Sequence, residues 1–193
     1  MFKKFKLNIG HSRLRKQLKV LTRQKRVHNL DSARKIGIIS YASSDYDFEQ
    51  ALKLTSHFTG KNLEVSLIAF FPGKELPHSY LMRKNVDIFV KKELNWYGKP
   101  IAPFANEFIS REFDILIDLS MQEIFPLKWI ASLSKAKFKV GCLSYYHNPN
   151  DLIINIKTED KLDYFISQLM HYLHLINNRF AQEEERRKEN LPY

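Results

Sequence analysis

Apolar runs of strand length alternate with helix-length segments along most of this chain, which restricts it to an α/β architecture with a mostly parallel sheet. The runs are KIGIISYA (35–42), NLEVSLIAFF (62–71), VDIFVKK (86–92), FDILIDLS (113–120) and KFKVGCLS (137–144), with a shorter one, DLIINIK (151–157), suited to an edge. Between them, DYDFEQALKLTSHFTG (45–60) reads as a helix opened by Asp45 and closed by Gly60, and ELPHSYLMR (75–83) as a short turn or helix. IAPFANEFIS (101–110) and PLKWIASLSK (126–135) read as helices, the latter with Pro126 in its first turn. A last helix is expected from about Thr158, with Leu162, Ile166, Leu169, Leu173 and Ile176 forming an apolar stripe. The expectation is a single α/β domain over residues 31–177, with five or six strands and helices on both faces, followed by a polar tail over 178–193.

Charge is distributed unevenly along the chain. Lys3, Lys4, Lys6, Arg13, Arg15, Lys16, Lys19, Arg23, Lys25 and Arg26 all lie in residues 1–30, which hold no Asp or Glu. Of the 31 Lys and Arg in the chain, the remaining 21 balance its 21 acidic residues, so the formal net charge of +10 belongs to this arm. Ser12 can cap a helix, and Leu14, Leu18 and Leu21 recur at helical spacing, so the arm is read as a basic amphipathic helix over residues 12–27. Gly10 is expected to separate it from a shorter amphipathic piece holding Phe2, Phe5, Leu7 and Ile9. Such an arm suits a nucleic acid, whose counterions Lys and Arg displace. It also suits an anionic membrane surface, or it docks its leucines on its own domain.

The single Cys142, the lack of a Cys/His cluster at metal-ligand spacing and the lack of an apolar stretch after the basic start point to a cytoplasmic protein without a structural metal. His171 and His174 stand at helical spacing without a third ligand. No run approaches the roughly 20 residues of a membrane span.

In an open parallel sheet, ligands bind beyond the carboxyl ends of the strands. The first strand ends in YASSDYDFE, where Ser43, Ser44, Asp45 and Asp47 stand in place of the glycines a phosphate cradle needs, and they suit helix capping. The fourth strand puts Asp118 and Ser120 at that edge, with Ser120 and Glu123 spaced as a capping box. Ser43, Asp118 and Ser120 are therefore the candidate pocket residues. Cys142 beside His147 is read as a small buried hydrophobe rather than a nucleophile. In the loop ELNWYGKP (93–100), Trp96, Tyr97 and Lys99 can stack a base or plug the loop onto the core; Trp129 reads as core.

With its basic amino-terminal segment and the motifs ARKIGII, LNWYGKP, FDILIDLS and SKAKFKVG, the span from about residue 1 to 177 resembles a family of bacterial proteins known only as a domain of unknown function. Residues 113–141 are similar to a strand, helix and strand in the amino-terminal domain of heptosyltransferase-type glycosyltransferases. That likeness implies a Rossmann-like fold. It speaks less for glycosyl transfer, because such enzymes bind the sugar nucleotide largely with a carboxyl-terminal domain that is not expected within these 193 residues. The leading expectation is a non-catalytic protein, without a cofactor, held on RNA, the ribosome or its rRNA by the basic arm. The alternative is an enzyme or small-ligand binder, nucleotide-binding or glycosyltransferase-like, using the sheet's carboxyl edge. The third is peripheral attachment to an anionic membrane.

Overall fold

The computed structural model describes residues 2–80, 83–143, 147–157 and 161–176, apart from the side chains of Phe2, Lys3 and Ser79. Six strands, β1 (Lys35–Tyr41), β2 (Glu64–Phe71), β3 (Val86–Val90), β4 (Ile115–Asp118), β5 (Phe138–Gly141) and β6 (Leu152–Ile153), form one sheet in the order β3-β2-β1-β4-β5-β6. Every pairing is parallel. Strand order therefore reverses between β1 and β4, as in doubly wound α/β sheets.

Helices cover both faces. On one, α2 (Asp45–Gly60) and α5 (Leu162–Leu175) bring Phe48, Leu54, Phe58, Phe165, Leu169 and Leu173 onto Ile36, Ile38, Leu67, Ile117 and Val140. On the other, α3 (Pro103–Ser110) and α4 (Phe125–Leu133) bring Ala105, Phe108, Leu127 and Ile130 onto Ile39, Ile68, Phe89 and Leu116. Two expected helix ends differ. The left-handed residue after α2 is Asn62, at φ 61°, rather than Gly60. Nor do Ser120 and Glu123 form a capping box. The residue preceding α4 is Ile124, Glu123 instead pairs with Lys128 at 2.6 Å, and the Ser120 Oγ finds no partner among the described residues.

All nine residues of α4 are buried. A helix lying on a sheet leaves its outer face wet unless something else covers it. The cover here is α1 (Phe2–Leu18), whose Leu14, 3% exposed, meets Phe125, Trp129 and Leu133, with Leu18 and Tyr97 at the margin. The arm's helix thus begins at Phe2 rather than near residue 12. Ser12 lies inside it rather than at its cap, and it runs unbroken through Gly10. A Cβ at Gly10 would lie 2.6 Å from the Phe125 ring and 2.8 Å from the Tyr97 carbonyl oxygen, so the glycine permits close contact instead of ending the helix.

After α1 the chain does not continue as a helix to residue 27; residues 21–29 carry no regular structure and run along the domain. Arg23 donates to the carbonyls of Ala136 and Lys137 and to both carboxylate oxygens of Asp151. The Arg26 amide donates to the Lys137 carbonyl at 3.1 Å, and the Leu30 amide to that of Leu173. Residues 19–34 therefore form a strap from α4, on one side of the sheet, to α5 on the other.

Candidate functional site

The cations of the arm divide by role. Lys4, Lys6, Arg13, Arg15, Lys16 and Lys19 are exposed and make no ion pair with a described residue. Arg23, its side chain only 8% exposed, is committed to Asp151, and Lys25 reaches the same carboxylate at 3.3 Å while staying in solvent. The Arg23 guanidinium and the Lys139 amide hold the Asp151 carboxyl below the ordinary range, against the opposing effect of burial. Arg26 is half-buried, and the Lys3 side chain lies outside the described residues. Positive charge thus lines a helix of 17 residues, about 26 Å long at 1.5 Å per residue, whose apolar contact with the domain is already made through Leu14 and Leu18.

Beside it lies the loop after β3. The Asn95 side chain accepts from the amides of Tyr97 and Lys99, and its carbonyl from Gly98, which turns at φ 92°. This fixed turn sends its aromatics in opposite senses. Tyr97 packs 6.2 Å from Trp129 and the Lys99 ammonium sits 5.7 Å over the same ring, whereas Trp96 remains 58% exposed. Trp96 is therefore the member of this trio available to stack, next to α1 through the contact of Tyr97 with Gly10.

At the carboxyl edge, Ser43, Asp118 and Ser120 are not among the residues lining the cavities between described residues. Ser43 donates to Asp47 at 2.6 Å, and Ser44 caps α2 while bonding the same carboxylate. Asp118 is buried and accepts from the Ser120 amide at 3.0 Å; burial pushes its carboxyl up and the Ser120 amide opposes this. The nearby cavity, of about 370 Å³, is lined instead by residues including Tyr46, Asp47, Met121, Cys142, Lys157 and Lys161. Cys142 donates to the Ser120 carbonyl, and burial pushes its thiol up to about 12, leaving no thiolate nucleophile at neutral pH. His147 does not supply a base for it, since that side chain lines cavities beside α1. His174 bonds the Met170 carbonyl within its own helix.

Sequence reading passed over Lys139 and Asp151. Lys139 is 2% exposed and donates to the carbonyls of Ala131 and Ser132, at 2.6 and 3.2 Å, which closes the carboxyl end of α4. Burial, with the Arg23 charge acting in the same sense, lowers its ammonium to about 7. A lysine inside an otherwise apolar strand was the available signal. Asp151, from the edge run, joins the strap to β5 through Arg23 and the Lys139 amide.

No curated protein matches the sequence. Over residues 6–176, which take in most of α1, the strap, the whole sheet and α5, the chain matches a family model, and it belongs to the family of unknown function DUF6913.

Proposed function

We propose that the protein is a non-catalytic RNA-binding protein that meets the phosphate backbone with the outward cations of α1 and stacks a base on Trp96. The observation that carries this reading is the set of exposed cations on and just after a docked helix, Lys4, Lys6, Arg13, Lys16 and Lys19, with no ion-paired carboxylate among the described residues. A docked helix holds its charges in register at little further entropic cost, which favours a polyanion of regular spacing. The docking also supports RNA over lipid. A membrane-surface helix needs its apolar face free, and here that face covers α4, leaving Phe5 and Leu7 exposed among its described large apolar side chains.

Deleting the arm is not the test, because it uncovers Phe125 and Trp129. The full chain with Lys4, Lys6, Arg13 and Lys16 replaced by Gln keeps Leu14 and Gly10 in place. Against labelled single-stranded RNA, the wild-type log Kd is expected to depend linearly on log salt, and the fourfold variant to lose about three units of that slope at roughly 0.7 per phosphate. Trp96→Ala is expected to weaken binding by about tenfold or more. Absence of RNA binding, or binding unchanged in both variants, overturns the proposal, as does binding confined to anionic vesicles.

A further inference from the structure

Two cavities meet along the inner edge of α1. One, of about 250 Å³, lies between His11, Leu14 and Arg15 on the helix and Glu123, just before α4, and Lys128 on it. The other, of about 340 Å³, lies below it against Arg23, Lys25, Ser132 and Lys139, and the two share Leu18 and His147. The lower one gathers three basic side chains from the strap and β5, while the adjacent carboxylate, Asp151, is already held by Arg23 and Lys25.

Two polar groups in that wall are incompletely satisfied. The Lys139 ammonium bonds two carbonyls and has no carboxylate among its hydrogen-bond partners. The Ser132 Oγ is buried without a partner among the described residues. Buried polar groups are ordinarily paired, and buried charges more so. Closing the end of α4 accounts for two of the ammonium hydrogens. It leaves over the third and the Ser132 hydroxyl, and because the single Asp151 carboxylate is shared by Arg23 and the 72% exposed Lys25, the strap keeps one positive charge in excess.

We propose that this lower cavity is a binding site for a phosphate group, held by Lys139, Lys25 and the Ser132 hydroxyl, with the upper cavity receiving whatever the phosphate is attached to. The donors arrive from the strap, α4 and β5, which suits a tetrahedral anion with several acceptor oxygens better than a planar carboxylate with two. The phosphate comes either from a small phosphate compound or from a nucleic-acid backbone. The site does not rest on the RNA-binding reading.

The test is titration of the full chain with inorganic phosphate, followed by phosphorus NMR and calorimetry, against chloride at matched ionic strength. One saturable site is expected, weakened about tenfold in Lys25→Gln and in Ser132→Ala, each of which removes one donor to the anion. These two variants carry the test if Lys139→Met does not fold. The fourfold α1 variant is expected to bind phosphate normally, so failure here and failure of RNA binding are separate results. Displacement of phosphate by single-stranded RNA assigns the site to a backbone phosphate. Retention in the presence of RNA, with displacement by a nucleoside monophosphate, assigns it to a small compound. A response no greater than that to chloride, or one equal in wild type and both variants, overturns the proposal.

Discussion

Replacing Gly10 by Ala separates a docked α1 from a free one by the sign of its effect. In a solvated helix the change stabilises by about 1 kcal/mol through helix propensity. Here the added methyl group would lie 2.6 and 2.8 Å from two atoms of the Phe125 ring and 2.8 Å from the backbone oxygen of Tyr97. That ring has little room to retreat, being 8% exposed, edge-on to His11 at 4.8 Å and close against Gly98. The Tyr97 oxygen belongs to a turn pinned by Asn95. Overpacking of this kind costs about 1–3 kcal/mol. With the propensity gain subtracted from the upper part of that range, the variant is expected to lose about 1–2 kcal/mol. At about 2 kcal/mol per molar urea, the unfolding midpoint falls by roughly 0.5–1 M with the slope unchanged. Tryptophan fluorescence reports the transition through Trp129, which is 1% exposed. Gln17→Ala, at an exposed position of the same helix, is the control and is expected to leave the midpoint nearly unmoved. A midpoint that rises in Gly10→Ala refutes the docking of α1, and with it the reason for leaving the arm intact in the RNA experiment.

The strap, the buried lysine and the cysteine give further expectations. Arg23→Ala or Asp151→Ala strands its partner in a partly buried site and is expected to destabilise by about 2–4 kcal/mol in urea unfolding; Arg23→Lys should recover little, because an ammonium cannot span the carboxylate and the two carbonyls together. Lys139 has a folded value of about 7, below its unfolded value near 10.4, so the unfolded chain binds the extra proton. Its contribution therefore makes stability rise with pH from about 7 towards 10. Wild type minus Lys139→Met should show that rise in unfolding free energy, and a flat difference contradicts it. Cys142, with its thiol at about 12 and 8% exposed, should resist a thiol reagent at pH 8 in the native protein and react once urea unfolds it. Rapid native labelling excludes the buried, protonated thiol.

The sheet was legible because each strand is a continuous apolar run of its own, and the buried stripe of α5 followed from Leu162, Leu169 and Leu173 at helical spacing. The arm was misread where local signals compete with tertiary contact. Gly10 and Ser12 look like punctuation, yet the first is a contact point and the second an ordinary turn of helix. Residues 19–27 carry no break after Leu18, but their backbone and Arg23 bond partners more than a hundred residues away, which no local window contains. One signal for the third layer was present: FPLKWIASL has almost no polar face, so its second side needed a cover. Among the candidate site residues, the exposure of the α1 cations and the turn around Gly98 were readable from composition and turn chemistry. The local bonds of the edge candidates were not, because they depend on Asp47 taking the hydroxyls of Ser43 and Ser44 and on Asp118 turning inward.

The strap also sets an order of events during synthesis. Its anchor points, the carbonyls of Ala136 and Lys137, the carboxylate of Asp151 and the carbonyl of Leu173, all come from the last third of the chain. Residues 19–34 are therefore made well before the groups that hold them. At ordinary elongation rates the strap waits on the order of ten seconds for its last anchors, whereas the apolar partners of Leu14 in α4 are made before Asp151 and Leu173, so the helix has its place on the domain before the strap that follows it.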